Sequence, residues 1–564
     1  MYQDIEADEV FLDSKNLPFF DKQQFEGKLE KPISTRSVYL LLGCVFFIVF
    51  IFIIRLYVLQ IMQGKEFYTA STENALDREH IFSSRGLIYD SAGRKLAWNE
   101  RSPIQDSFLL RKYSTVPGLS HILGYVKYPK QDKKGYFWRT EYVGIDGSEK
   151  QFNELLSGVN GARIIETNVA GEKISSNIYE EPVSGQNITL SIDSEVTELL
   201  YDGILRVAQD SGYVGGAGML VDLSSGEIVA SVSYPEYSSS IMTESTNEEV
   251  ISGYFQNQRH PLLNRTISGL YTPGSVVKPF VGIGALTEGV ITPETRITSI
   301  GSITIQNPYN PELKSVFRDY RPNNGVVNIM EALSVSSNIF FYNVGGGFQS
   351  QKGIGIDKIA MYFDMFGLGK KTNIDLPGEI EGVIPSQAWK RETFPTDPVW
   401  RLGDTYNTAI GQYGVQVTPV QMLRSVSIIA TKGRDIPFTI RDTNEPIPES
   451  KIKSIPITQD VFSVIHKGMR LAVTSPVGTG KGLASGLGTE FAIKTGTAQV
   501  GARNEYINTW IIGFFPYDKP KYAFVILMDK GTDSRASGAP SAARFFFEKL
   551  QHTDFFKKHI TNSL

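Results

Sequence analysis

The chain has 564 residues, of which 41% are hydrophobic and 21% charged, and its formal net charge is -4. That length exceeds what one hydrophobic core fills and points to several domains. The slightly acidic balance offers no basic stripe for nucleic acid, and Cys44, the single cysteine, excludes an intramolecular disulfide and a cysteine metal site.

Residues 1–37 read as a flexible tail. Val38 to Ile54 (VYLLLGCVFFIVFIFII) then carries neither charge nor proline, and Leu56 to Ile61, after Arg55, stays mostly apolar. At about 1.5 Å per residue, the run from Val38 to Leu59 crosses a hydrocarbon layer of about 30 Å. A soluble helix is rarely apolar on every face. A signal peptide would begin near residue 1 and end at a small-residue cleavage site, which QIMQGKEFYTAST does not offer. An uncleaved single transmembrane helix over 38–60 is therefore expected. Lys22, Lys28, Lys31 and Arg36 precede it, and Lys65 and Arg78 follow it. The positive-inside rule then puts the tail in the cytoplasm and the rest of the chain outside.

Residues 61–185 mix short strand-like runs with glycine turns and read as a separate domain. Around Asn187 the texture changes. Ile188 to Asp193 reads as a strand, and the amphipathic run from Ser194 reads as a helix ended by Gly212. Two β-rich runs, around Met219–Leu223 and Glu227–Ser233, flank Ser224-Ser225-Gly226 as a hairpin. INTWIIGFFP and KYAFVILMDKG form another around Tyr517–Pro520, and a last helix covers Ala542 to Leu550. The pattern predicts one large α/β (α+β) domain over 186–553, followed by a tail at 554–564.

Three short elements carry chemistry. In LYTPGSVVKPF (Leu270 to Phe280), Pro273 and Gly274 turn the chain and Ser275 starts a helix, so Ser275 and Lys278 share one face. The hydroxyl would gain from the free N–H groups and dipole of the helix start, and a buried lysine could take its proton. Taken alone, Ser275 reads as a helix cap. Ser450-Lys451-Ile452-Lys453 repeats the pattern in a charged loop. In MEALSVSSNIFFYNV, Ser336 and Asn338 place a hydroxyl and an amide two residues apart. Ser14-Lys15-Asn16, Ser175-Ser176-Asn177 and Ser245-Thr246-Asn247 match too, in polar stretches that read as turns. In EFAIKTGTAQV, Lys494, Thr495 and Thr497 put an amine and two hydroxyls on a strand edge, suited to a carboxylate. Gly496 there would let a substrate backbone approach. Lys-Thr-Gly occurs nowhere else in the chain.

The order S-x-x-K, S-x-N, K-T-G resembles the signature of penicillin-binding proteins and class A β-lactamases. NRTISGLYTPGSVVKPF and IKTGTAQV resemble the family's longer blocks. RGLIYDSAGRKLAWN (Arg85 to Asn99) and GIDGSEKQFNELLSG (Gly144 to Gly158) resemble non-catalytic blocks of class B members. No stretch resembles the glycosyltransferase domain of class A members. WRLGDTYNTAIGQYGVQVTPVQM (Trp400 to Met422), HILGYV (His121 to Val126) and GVITP (Gly289 to Pro293) are most similar to the elongation-type group, penicillin-binding protein 2. The resemblance covers roughly residues 38 to 550.

It implies a β-lactamase-like transpeptidase domain with an antiparallel sheet flanked by helices, above an elongated pedestal, or dimerisation, domain at 61–185. It implies D,D-transpeptidation of peptidoglycan stem peptides ending in D-Ala-D-Ala. Ser275 would be the nucleophile, Lys278 its base, Ser336 the proton relay, and Asn338 the holder of the peptide amide and Lys278. Lys494, Thr495 and Thr497 would bind the terminal carboxylate, with Gly496 beside them, and the N–H groups of Ser275 and Thr497 would form the oxyanion hole. Expected partners are the stem peptides, β-lactams that acylate Ser275, a membrane glycosyltransferase and the elongation machinery; no nucleic acid, cofactor or metal is expected. Nothing between Lys278 and Ser336 is a cysteine or histidine. The alternatives are a D,D-carboxypeptidase or β-lactamase using water, and a non-catalytic β-lactam sensor or scaffold. No G-x-S-x-G elbow or H-E-x-x-H occurs.

Overall fold

The computed structural model describes residues 34–74, 76–102, 107–133, 135–167, 173–306, 310, 312–443, 447–532 and 537–560. Most of the expected N-terminal tail, with Ser14-Lys15-Asn16, lies outside the described residues, as do the last four positions of the expected C-terminal tail. The described chain divides into two compact units, one within residues 1–79 and 162–179 and the other within 80–161 and 180–564.

The first unit contains an α-helix, Thr35–Tyr57, that passes into a π-helical turn at Val58–Met62. Val38–Met62 is long and apolar enough to cross a membrane, and side chains such as Phe46 and Phe47 are exposed along it. A helix at Gly64–Asn74 follows. Most of a three-stranded sheet, with strands Leu76–Ile81, Gly161–Thr167 and Lys173–Glu180 in that order, completes the unit.

In the second unit, residues 80–161 are organised around a buried charge cluster. Glu149, fully buried, accepts from Arg85 Nε at 2.6 Å and from Arg111 Nε at 2.7 Å, and both arginine side chains are themselves buried. Arg85 also donates to Ser157 Oγ at 3.0 Å and Asn153 Oδ1 at 3.0 Å. The two arginines hold the Glu149 carboxyl below its ordinary range in spite of burial, which works the other way. A four-stranded sheet runs in the order Ile188–Thr189, Ile88–Tyr89, Lys95–Glu100, Leu110–Tyr113, with its first pair parallel. The expected strand Ile188 to Asp193 is therefore only two residues long. Leu190 and Ser191 turn instead to the Ile440–Arg441 segment, Leu190 bridging Arg441 and Ser191 N–H donating to the Ile440 carbonyl at 2.8 Å. Asp193 caps the next helix, its Oδ1 accepting from the N–H groups of Glu195 and Val196.

The remaining chain builds three layers. Helix α1 (Ser194–Ser211) ends at Gly212 in the left-handed conformation, as expected. Strands β1 (Gly215–Asp222) and β2 (Ile228–Tyr234) form the first expected hairpin. Helix α2 (Lys278–Thr287) follows. A long hairpin comes next, β3 (Ile297–Gln306) and β4 (Lys314–Val327). Then come α3 (Ile329–Val335), α4 (Asn338–Gly346), α5 (Pro419–Ala430) and α6 (Gln459–Thr474). Strands β5 (Ala492–Val500), β6 (Tyr506–Phe515) and β7 (Tyr522–Gly531) and helix α7 (Ala539–Leu550) close the domain.

The central sheet runs β2-β1-β7-β6-β5 and is antiparallel throughout. Both faces are covered, which explains why β6 and β7 read as continuous apolar runs rather than alternating ones. Leu220, Ile511 and Phe515 pack with Leu200 of α1 and Phe546 of α7. Met219, Trp510 and Ile512 pack with Phe280 of α2 and Val426 of α5 on the opposite face. Past α7, Asp554–His559 is a further helix that buries Phe556, and Ile560 is buried beyond it, so the expected tail begins as packed structure.

The buried cluster sets a stability test. Glu149→Ala leaves two buried guanidinium groups uncompensated and is expected to destabilise the unit by about 3–5 kcal/mol. Urea unfolding followed by tryptophan fluorescence checks this, and an unchanged transition would contradict it.

Candidate active site

Each of the three chemical elements lies on a different support. Ser275 is on a 3₁₀ turn, Gly274–Val277, that runs directly into α2, rather than on the α-helix the spacing suggested. A 3₁₀ turn has three residues per turn, so side chains at i and i+3 eclipse. Ser275 thus precedes Lys278 by one tight turn. Among the described residues the Ser275 hydroxyl takes no hydrogen-bond partner, and the residue is half-buried.

The turn is held by backbone contact on two sides. A Cβ on Gly274, whose φ is +58°, would stand 2.6 Å from the Thr497 carbonyl oxygen. A Cβ on Gly411 would stand 2.2 Å from the Gly274 carbonyl oxygen, and Gly274 N–H donates to the Gly411 carbonyl at 3.0 Å. A Cβ on Gly496 would stand 2.8 Å from the Pro273 carbonyl oxygen and 2.9 Å from Val276 Cγ1. The space that Gly496 opens is thus filled by the serine's own turn, where the sequence suggested a substrate backbone. Strand β5 is at the sheet edge, and its glycine lets Ser275 be docked there. Trp510 Nε1 donates to the Thr272 carbonyl at 3.0 Å and ties the same segment to β6.

Ser336 and Asn338 form a corner between two helices. Ser336 is the C-cap of α3, with a left-handed φ of 58°, a conformation that costs a non-glycine residue on the order of 1–3 kcal/mol unless its surroundings hold it. Ser337 caps α4, its Oγ accepting from Phe340 N–H at 3.0 Å. Lys278 Nζ reaches across to this corner. It donates to the Ser336 carbonyl at 2.8 Å, to Asn338 Oδ1 at 2.7 Å and to Ser336 Oγ at 3.3 Å.

Lys494 approaches the same hydroxyl from β5. Its Nζ donates to Ser336 Oγ at 2.9 Å and to the Thr495 carbonyl at 2.7 Å. Both lysines are fully buried. Burial pushes Lys278 down to about 7, against a smaller upward pull from the Asp319 carboxylate. Burial, then the charge of Lys278, holds Lys494 well below the ordinary lysine range. Burial penalises the charged form of an amine, and a like charge adds to the penalty. A neutral amine at Lys278 keeps two donors, enough for the Ser336 carbonyl and Asn338 Oδ1, gives up the longer contact to Ser336 Oγ and gains a lone pair able to take a proton. The Ser336 hydroxyl between two amines can pass one on.

The expected residues therefore converge: Lys278, Ser336, Asn338 and Lys494 are joined by hydrogen bonds, and Ser275, Gly496 and Thr497 flank them. Thr497 is exposed, while Thr495 is half-buried and donates to Thr479 Oγ1 at 2.8 Å. The Ser-x-x-Lys repeat at Ser450 lies on an exposed 3₁₀ turn at Glu449–Lys451, outside this group. Sequence reasoning missed Thr479, Asp319, Ser299 and Ser337. Thr479 is fixed by its N–H to the Ser334 carbonyl at 3.1 Å, but its segment, SPVGTGKG, reads only as a loop. Among the described residues no group of His, Cys, Asp or Glu side chains is placed to hold a metal ion.

Residues 216–550 match the family model of the penicillin binding protein transpeptidase domain, and residues 107–190 that of the penicillin-binding protein dimerisation domain. The peptidoglycan D,D-transpeptidase MrdA of Acinetobacter baumannii is 27% identical over 92% of this chain and 87% of its own length. The protein of the same name in Escherichia coli K12 is 26% identical over 86% and 90%. Among solved structures, penicillin-binding protein 2 of Helicobacter pylori in complex with MreC is similar at a TM-score of 0.68 and 25% identity, over 85% of this chain and 98% of that one. Penicillin-binding protein 2 of Pseudomonas aeruginosa in complex with WCK 5153 gives 0.67 and 26%, over 84% and 97%. The transpeptidase match spans more than half of the chain and contains all three chemical elements: this protein belongs to the penicillin-binding protein transpeptidase family.

Proposed function

We propose that the chain is a membrane-anchored peptidoglycan D,D-transpeptidase of cell elongation that works through a Ser275 acyl-enzyme. The observation that carries this reading is the pair of buried amines, Lys278 and Lys494, meeting at one hydroxyl, Ser336 Oγ.

Ser275 Oγ attacks the carbonyl carbon of the penultimate D-alanine, and its proton passes to the neutral Lys278 Nζ. The N–H groups of Ser275 and Thr497 stabilise the developing oxyanion, where loss of one donor typically costs about 10²–10³ in rate. The carbon–nitrogen bond to the terminal D-alanine breaks, and a proton relayed through Ser336 goes to the leaving amine. Asn338 holds the donor peptide's amide and Lys278. Lys494, Thr495 and Thr497 hold the terminal carboxylate, the Thr495 hydroxyl turning its proton from Thr479 to the carboxylate when the peptide binds. Gly496 is the spacer that brings β5 against the Ser275 turn. An amine of a second stem peptide then attacks the ester carbonyl, forms the crosslink and frees Ser275. A β-lactam acylates Ser275 in the same way.

The reading places residues 1–37 in the cytoplasm, 38–60 in the membrane, 61–185 as the pedestal and 186–553 as the catalytic domain outside. The helix keeps the enzyme at the surface where lipid-linked precursors are used. The Helicobacter pylori relative is complexed with MreC, and a similar elongation-machinery protein, with a membrane glycosyltransferase, is the partner proposed for this chain.

Full-length protein given a D-Ala-D-Ala peptide and an added D-amino acid should yield the exchanged peptide, and Ser275→Ala should abolish it. Release of free D-alanine with no exchange would favour a D,D-carboxypeptidase. The acid limb of β-lactam acylation should report Lys278, which is charged below about 7 and a free base above it. The acylation rate should rise about tenfold per pH unit up to that midpoint and level off beyond it. A rate still climbing at pH 9 would contradict Lys278 as the base.

A further inference from the structure

The β3–β4 hairpin carries a carboxylate to the back of the Ser336–Asn338 corner. Asp319 Oδ1 accepts the backbone N–H of Asn338 at 2.7 Å and that of Tyr320 at 2.8 Å. Its Oδ2 accepts the Ser337 hydroxyl at 3.0 Å and the hydroxyl of Ser299, on β3. Ser299 and Ser337, both fully buried, have hydroxyls 2.7 Å apart, and Asn324 Nδ2 donates to Ser299 Oγ at 3.3 Å. The corner is thus gripped from two sides. Lys278 holds the Ser336 carbonyl and the Asn338 side chain from within the site, while Asp319 holds the Ser337 hydroxyl and the Asn338 backbone from behind.

We propose that Asp319 is a positioning residue for acylation, fixing the corner so that Ser336 Oγ and Asn338 Oδ1 both meet Lys278 Nζ. This rests on the reading of Ser275 as nucleophile and Lys278 as base. The left-handed conformation at Ser336 is the reason a clamp is needed, because nothing in the local sequence, with no glycine at that position, prefers it. Helix α4 starts at Asn338, so pinning that N–H fixes the helix start and the direction of the amide side chain together. Asp319 also acts on Lys278 through its charge, opposing burial. Among the described residues, the other titratable groups coupled to this pair are Lys494, which shares Ser336 Oγ with Lys278, and Tyr342, whose hydroxyl feels Asp319.

The test is the pH profile of acylation by fluorescent penicillin, measured per active site on full-length protein in detergent, for Asp319→Asn and Asp319→Glu. Asp319→Asn removes the charge and makes one oxygen a donor. Its plateau rate should fall by about tenfold to a hundredfold, and its acid limb should move to lower pH, because a charge that raises Lys278 is gone. Asp319→Glu keeps the charge but changes the reach, so its limb should stay while its plateau falls. A wild-type plateau in either variant overturns the proposal. So does a loss seen only as fewer labelled sites with an unchanged rate per site, which is what a purely structural role would give. If Asp319→Asn does not fold, Asp319→Glu alone decides. Ser275→Ala is the control: labelling that survives it defeats the reading of the site itself, whereas labelling lost there with Asp319 variants like wild type defeats only the role of Asp319.

Discussion

Two ammonium groups brought into one dry space are the constraint around which the site is arranged. A buried amine without a counter-ion is expensive as a cation and responds by losing its proton. Burial lowers both Lys278 and Lys494, with Asp319 the one carboxylate opposing it at Lys278, and the two amines share one hydroxyl oxygen. The chemistry and the cost are the same fact: a lysine comfortable as a cation would have no lone pair to offer a serine. Such an arrangement destabilises the fold locally and persists only where rigid surroundings hold it. Here the surroundings are a sheet covered on both faces, a helix start and a corner between two helices.

Close backbone packing makes that rigidity possible. The Ser275 turn is wedged between β5 and the Gly411 segment, and glycines at 274, 411 and 496 leave no room for a Cβ. These contacts place the serine relative to Lys494 without any side chain of Ser275 taking part. They also give the 3₁₀ form of the turn a purpose. Tighter winding than an α-helix eclipses Ser275 with Lys278, and the chain relaxes into α2 only at the lysine.

Much of this was legible in the sequence, for identifiable reasons. Lys278, Ser336, Asn338 and Lys494 stand in short motifs whose spacing encodes a shared face or corner, so their convergence followed from the resemblance. The hairpins around Gly226 and Tyr517–Pro520 were legible because turn residues separate apolar runs. The strand expected over Ile188 to Asp193 stops at Thr189 because Leu190 and Ser191 pair with Arg441 and Ile440, partners too distant in the chain for the local pattern to signal. The partner of Gly496 was out of reach, since its neighbour Pro273 is more than two hundred positions away in the chain. Asp319 was equally hidden. Its segment, FRDYRPNN, is polar and carries none of the three motifs, and only the folded hairpin reveals that one carboxylate points at the corner.

The deciding question is whether the hydroxyl before the buried lysine is the one that becomes acylated. Mass-spectrometric mapping of the penicillin adduct, on full-length protein digested under mildly acidic conditions, measures this directly. The adduct is predicted on the peptide carrying Ser275, and it should be lost when Lys278 is replaced by alanine. An adduct on Ser336, on Ser450 or anywhere else, or undiminished acylation without Lys278, would contradict the account.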